Sequence, residues 1–248
     1  MKVLFLGAGH GVPTEDRFCS ATLLECGGVY YLIDAGAPVG QLFVRYGIPF
    51  EKLKAVFITH RHGDHMAGLP HLVDLSTWCY KESNYDVFMT EQQGVDALRT
   101  YLLSLTDNGI GNNVRLHTFE AGKVFEDENI VVTAIATNHM NGSHPSYAFM
   151  IEGEGKRVFF TGDLHCGDAV DFPMLAKELP SDLLVCEFAH FHQQAIFKHL
   201  QQVKTKQIIF NHYNENFAPA MVEDMINGEK KLKFPACLAH DGDEITIS

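Results

Sequence analysis

Three histidines and an aspartate fall within six residues at His60-Arg61-His62-Gly63-Asp64-His65. Imidazole and carboxylate are the side chains that borderline divalent ions such as zinc, iron and manganese accept. His60 and His62 can point at one ion, and Asp64 and His65, one step further along, at a second. A polar surface loop is the bland alternative. Such a loop would have no reason to follow directly on Lys54-Ala55-Val56-Phe57-Ile58, a short apolar run that reads as a buried strand. Met66-Ala67-Gly68-Leu69-Pro70 behind the cluster reads as the entry to a helix, so the four groups sit on a strand-to-helix turn at the end of a sheet.

H-x-H-x-D-H after an apolar strand, in the context Phe57-Ile58-Thr59 to Gly68-Leu69-Pro70, resembles the signature of the metallo-β-lactamase superfamily of metal-dependent hydrolases. Within it, the stretch is similar to the phosphodiesterase branch that includes ribonuclease Z. The opening Leu6-Gly7-Ala8-Gly9-His10-Gly11-Val12-Pro13 and the closing Ala239-His240-Asp241-Gly242 resemble the same branch. A dinucleotide-binding loop is excluded at the opening, because Pro13 stands where the phosphate-binding helix would begin. His10 reads as an ordinary loop histidine.

The resemblance implies an α/β fold of the αβ/βα four-layer sandwich type, with two mixed β-sheets, formed as one domain over residues 1–248. It implies that His60, His62 and His139 hold one ion and that Asp64, His65 and His212 hold the other. Asp163, in Thr161-Gly162-Asp163, falls where the superfamily has a carboxylate shared by two ions, which can sit ~3.5–4 Å apart. β-Lactamases carry cysteine at that point, so Asp163 argues against their activity. His139 follows its strand directly and is the favoured third histidine ligand, with His144 the alternative. Asp34, at the end of the strand Val29 to Ile33, is expected to orient a ligand histidine, and capping the helix that begins near Pro38 is its competing role. Glu187 and His190 fall where the branch keeps an acidic residue and a proton-donating histidine, with His192 as second choice. The ribonuclease Z form of that motif is absent.

On this reading two divalent ions, zinc in first place with manganese or iron on the same ligands, generate a hydroxide at neutral pH, Asp64 helps to hold it, and His190 protonates the leaving oxygen. Two carboxylates and a hydroxide leave the centre with a formal charge of about +1, which suits an anionic phosphodiester. The chain as a whole carries a formal charge of −12. That weighs against a large nucleic-acid partner, whose binding surfaces are basic, but not against a small phosphodiester. Between Asn84 and Phe125 there is no basic Gly/Pro-rich insertion that could grip tRNA. The leading expectation is therefore hydrolysis of a small phosphodiester such as a cyclic nucleotide. The enzymatic alternatives are a ribonuclease Z-like RNA endonuclease and a carboxylic ester, thioester or lactone hydrolase. Outside enzymes, the alternative is a catalytically silent metal-binding module of an assembly.

These groups need strands to carry them, and 46% apolar residues suffice for the core. Strands are expected at Lys2–Leu6, Ser20–Glu25, Val29–Ile33, Ile130–Thr137, Tyr147–Ile151, Arg157–Phe160, Leu183–Cys186 and Gln207–Phe210. The main helices are expected at Pro38–Tyr46, Gly68–Tyr80, Glu91–Leu105 and from Gln193 to about Val203, with His199 structural. Six scattered cysteines without a C-x-x-C pair, an opening too short in apolar residues for a signal peptide, and no run of ~18 apolar residues lead to the expectation of a cytoplasmic protein without a membrane partner. A homodimer is compatible with the sequence.

Overall fold

The computed structural model describes residues 1–12, 14–106, 109–167, 170–229 and 231–248; Pro13 lies outside the described residues. In chain order the strands are β1 (Lys2–Gly7), β2 (Ala21–Cys26), β3 (Val29–Ile33), β4 (Leu53–Phe57), β5 (Tyr85–Met89), β6 (Val114–Thr118) and β7 (Gly122–Glu126). They continue as β8 (Ile130–Thr137), β9 (Ser146–Gly153), β10 (Lys156–Phe160), β11 (Leu183–Phe188), β12 (Ile208–Tyr213), β13 (Ala236–Leu238) and β14 (Glu244–Thr246). The helices are α1 (Val39–Arg45), α2 (Gly63–Met66), α3 (Leu69–Trp78), α4 (Gln92–Leu105), α5 (Leu175–Glu178), α6 (Gln193–Leu200) and α7 (Ala218–Asn227).

The strands form two seven-stranded mixed sheets, ordered β14-β1-β2-β3-β4-β5-β6 and β13-β12-β11-β10-β9-β8-β7. Each belongs to its own compact unit: residues 2–120 with 241–246, and residues 121–240 with 1 and 247–248. Both sheets follow one scheme. β14, β1, β2 and β3 pair antiparallel and β3 to β6 pair parallel, while β7 to β10 pair antiparallel and β10 to β13 pair parallel. Parallel pairing needs a crossover, and the crossovers supply the helices.

In the first unit, Leu42 and Phe43 of α1, Leu69, Leu72 and Val73 of α3, and Val95, Leu98 and Leu102 of α4 form one buried cluster with Leu32, Val56 and Val87 of the sheet. The apolar positions in each helix recur at helical spacing, which is why that face is the one buried. Trp78, at the end of α3, is 39% exposed. Asp241 pins the β1–β2 loop at both ends, accepting hydrogen bonds from Ala8 N (2.8 Å) and Phe18 N (2.6 Å). Burial pushes its carboxyl above the ordinary value.

In the second unit, Ile196 and Leu200 of α6 and Val222 and Met225 of α7 pack with Phe159, Leu184, Cys186, Phe188 and Phe210. α5 and β13 were not expected; a single helical turn and a three-residue strand are too short to show a period. β12 runs through Tyr213 rather than stopping at Phe210. Its pairing with β11 goes from Glu187↔Asn211 to Phe188↔Tyr213, so His212 is an inserted, bulged residue, with φ 47°. A bulge of this kind re-aims a side chain.

His199 is structural in geometry as well, with its ring stacked on Phe172 at 5.6 Å. Burial, with Lys177 and Lys198 nearby, pulls its pKa from 6.5 down to about 4. The folded state therefore disfavours the imidazolium. As pH falls below about 6.5 the unfolded chain takes up the proton first, and the stability contribution present above that pH drains away down to about 4. His199→Phe is expected to flatten this acid limb in thermal melts between pH 7 and pH 4.

Candidate metal centre

The first unit gathers its candidate ligands at the carboxyl end of β4, where parallel sheets present functional groups. His60 is fully buried, His65 is 1% exposed, Asp64 is half-buried and His62 is exposed. His60 Nε2 and His62 Nδ1 lie 2.9 Å apart, and His65 Nε2 lies 3.4 Å from Asp64 Oδ2. Asp34 organises the turn from beneath. Its carboxylate accepts hydrogen bonds from Thr59 N (2.8 Å), from the Thr59 hydroxyl (2.9 Å) and from His65 Nδ1 (2.8 Å). The bond to Nδ1 leaves Nε2 of His65 for an ion, and the Thr59 hydroxyl, 3.0 Å from His60 Nδ1, does the same for His60. Asp34 thus takes the orienting role expected of it, and no side-chain cap joins it to α1. Thr59 was missed by the sequence reading, although it stands directly before the histidine cluster.

The backbone around Asp34 fits tightly. Asp34 itself has φ 60°, and a Cβ on Gly36 would stand 2.3 Å from the carbonyl oxygen of Asp64, so only glycine allows the two turns to touch. Removing the Asp34 carboxylate would free both rings to rotate. Asp34→Ala is expected to lower the ion affinity of this cluster 10–100-fold, read as metal content after dialysis against limiting metal.

The second unit brings His139, Asp163, His190 and His212 together at the carboxyl ends of β8, β10, β11 and β12. Asp163 Oδ2 lies 3.7 Å from His139 Nε2, 3.5 Å from His212 Nε2 and 3.8 Å from His190 Nδ1. His139, Asp163 and His212 are each at most 8% exposed. His139 Nδ1 faces the Leu164 carbonyl at 2.9 Å, which turns Nε2 towards Asp163. His144 is not among the donors that gather there, and neither is His192, which is exposed at the start of α6.

Glu187 is 1% exposed and fully engaged. Its Oε1 accepts from Leu164 N (2.8 Å) and His190 Nδ1 (3.0 Å), and its Oε2 accepts from Ala189 N (2.8 Å) and His190 N (3.3 Å). The carboxylate therefore acts as a hub that fixes the loop after Asp163 and the ring of His190. Asp171 was missed by the sequence reading; it accepts from the backbone N–H of both Asn138 and His165.

The donor sets fit divalent ions. Two nitrogen or oxygen ligands on one tetrahedral ion at 2.0–2.2 Å stand ~3.4 Å apart. Within each unit the facing donor atoms are 2.9–3.8 Å apart. Imidazoles turned by hydrogen bonds on their other nitrogen are the usual form of metal-ligating histidine.

The sequence profile of the family described as "Anti-Pycsar protein Apyc1" matches residues 1–231. The chain belongs to the Apyc1 family. This Apyc1-family chain is also similar to ribonuclease Z of Shouchella clausii (strain KSM-K16), at 32% identity over 159 residues, covering 63% of this chain and 49% of the relative. The chain spans about half the length of the curated relatives it matches. Human tRNase Z, short form (ELAC1), superposes with a TM-score of 0.77 at 23% identity, covering 100% of both chains. The metallo-beta-lactamase fold protein YhfI from Bacillus subtilis superposes with a TM-score of 0.77 at 19% identity, covering 98% of both chains. The Apyc1-family chain thus has the metallo-β-lactamase fold with the two mixed sheets its sequence implied.

Proposed function

We propose that the two clusters form one dinuclear centre, and that residues 1–248 act as a single metal-dependent hydrolase domain on a small phosphodiester such as a cyclic nucleotide. In this reading His60, His62 and His139 hold one ion, Asp64, His65 and His212 the other, and Asp163 both, with zinc as the first-choice metal. The observation that carries it is the spacing of the oriented ligand donors in each unit, 2.9–3.7 Å, at the carboxyl ends of the strands. Bound divalent ions would supply a water-derived nucleophile near neutral pH and polarise a phosphoryl oxygen. The chain's own residues do the rest. Asp34, Thr59 and the Leu164 carbonyl hold the ligand rings in register. Glu187 holds Nδ1 of His190, which leaves Nε2 to carry a proton to the departing oxygen.

The preference for a small substrate draws on the charge of −12 and on the segment from Asn84 to Phe125, which β5, α4, β6 and β7 largely fill. Similarity to ribonuclease Z favours a second reading, cleavage of an RNA phosphodiester. Among the described residues no helix is long and apolar enough to cross a membrane, and the six cysteines are thiols; a cytoplasmic location goes with this reading.

The deciding experiment incubates the metal-loaded protein with cyclic mononucleotides, a precursor tRNA, a lactone and a thioester, with and without chelator. Turnover of a cyclic mononucleotide that stops on chelation is the expected result. Cleavage confined to the tRNA, or to the lactone or thioester, would replace the small-phosphodiester reading. A metal-loaded protein inert to all of them would point to a silent binding module.

A further inference from the structure

We propose that Asp171 is a positioning residue for the ion held by His139 and Asp163; this rests on the dinuclear reading above. His139 and Asp163 lie on different loops, one following β8 and the other following β10, and β9 separates those two strands in the sheet. Sheet pairing therefore does not fix the distance between the two donors, because both strands have ended before the ligands begin. Contacts between the loops must do so.

Asp171 makes the central contact. Its Oδ1 accepts from His165 N at 2.6 Å, two residues beyond Asp163, and its Oδ2 accepts from Asn138 N, the residue directly before His139. One carboxylate thus clasps the backbones of both ligand loops, through charge-assisted hydrogen bonds to N–H groups outside any strand ladder. His139 Nδ1 to the Leu164 carbonyl at 2.9 Å and a weaker approach of His165 Nδ1 to the Asn138 carbonyl at 3.4 Å also tie these stretches together. Asparagine at 171 would keep one accepting oxygen and turn an NH2 group against the other N–H, so it could serve only one loop at a time. A drift of even ~1 Å would take a donor out of the 2.0–2.2 Å coordination distance.

The test titrates metal-free wild type, Asp171→Asn, Asp171→Ala and Asp171→Glu with Zn2+ in competition with a chromogenic chelator, alongside thermal melts of the metal-free proteins. The expected result is two sites in wild type, and a loss of ~10–100-fold in affinity concentrated at one of them in Asp171→Asn and Asp171→Ala. Asp171→Glu, which keeps both accepting oxygens, should recover part of it, and the metal-free melting temperature of Asp171→Asn should stay close to wild type. If Asp171→Ala does not fold, Asp171→Asn decides. Two wild-type sites with unchanged affinity in Asp171→Asn would overturn this proposal and leave the dinuclear reading standing. Equal loss at both sites together with a collapsed metal-free melting temperature would make Asp171 a general structural residue and also overturn it. A wild type that binds no Zn2+ would overturn both.

Discussion

Asp163→Asn is expected to reduce phosphodiester hydrolysis by at least ~10²-fold and to lower the metal bound per chain. Asp163 is 3% exposed, and its Oδ2 faces three imidazoles at 3.5–3.8 Å. Loss of a hydrogen-bond partner behind a ligand already costs 10–100-fold in metal affinity or activity, so loss of the carboxylate that both ions would share should cost no less. Asparagine keeps the shape and one oxygen while removing the charge, which separates an electrostatic role from mere packing. Steady-state kinetics with parallel metal analysis would check it. Full activity with two ions still bound would remove Asp163 from the centre.

Phe210→Ala should be strongly destabilising. Phe210 is fully buried on β12 and packs against Phe188 with ring centroids 5.3 Å apart, in the cluster that also holds α6 and α7. Truncating a buried phenylalanine costs ~3–5 kcal/mol, which corresponds to a drop of roughly 6–20 °C in Tm for a chain of this length. The consequence should reach the proposed metal ligands, because Phe210 lies two residues before the bulged His212. Metal affinity should therefore fall together with Tm, and Phe210→Leu, which leaves a smaller cavity, should soften both effects. A thermal melt within ~2 °C of wild type would contradict the packing argument.

The candidate ligands were legible because they follow strands that are apolar on both faces. His60, His62, Asp64 and His65 are nearly contiguous, His139 comes two residues after the end of β8, and Asp163 follows the Thr-Gly just beyond β10. What supports them was less legible. His212 was assigned just beyond a strand, whereas it is the inserted residue of a bulge, and a bulge is a relation between β11 and β12 that one strand's sequence does not contain. Glu187 was expected beside the proton-donating histidine. It accepts four hydrogen bonds in a buried position, two of them from His190, an engagement its place after Leu183-Leu184-Val185-Cys186 gives no sign of. Thr59 and Asp171 each act through a partner 25 or more residues away in the chain, Asp34 for Thr59 and Asn138 for Asp171.

The pairing of β1 with β14 sets a timetable for synthesis. Lys2, Val3 and Leu4 lie against Thr246, Ile245 and Glu244, so β1 gains its outer neighbour from a strand synthesised long after it. At ~5–20 residues per second, some ~6–25 s pass between the emergence of residue 120 and that of β14. Throughout that interval β1 offers an open row of amides and carbonyls to any other nascent strand, and Asp241 is not yet there to clamp the β1–β2 loop. The first unit is thus the one whose yield should respond most to slowed translation or to chaperones that shield strand edges.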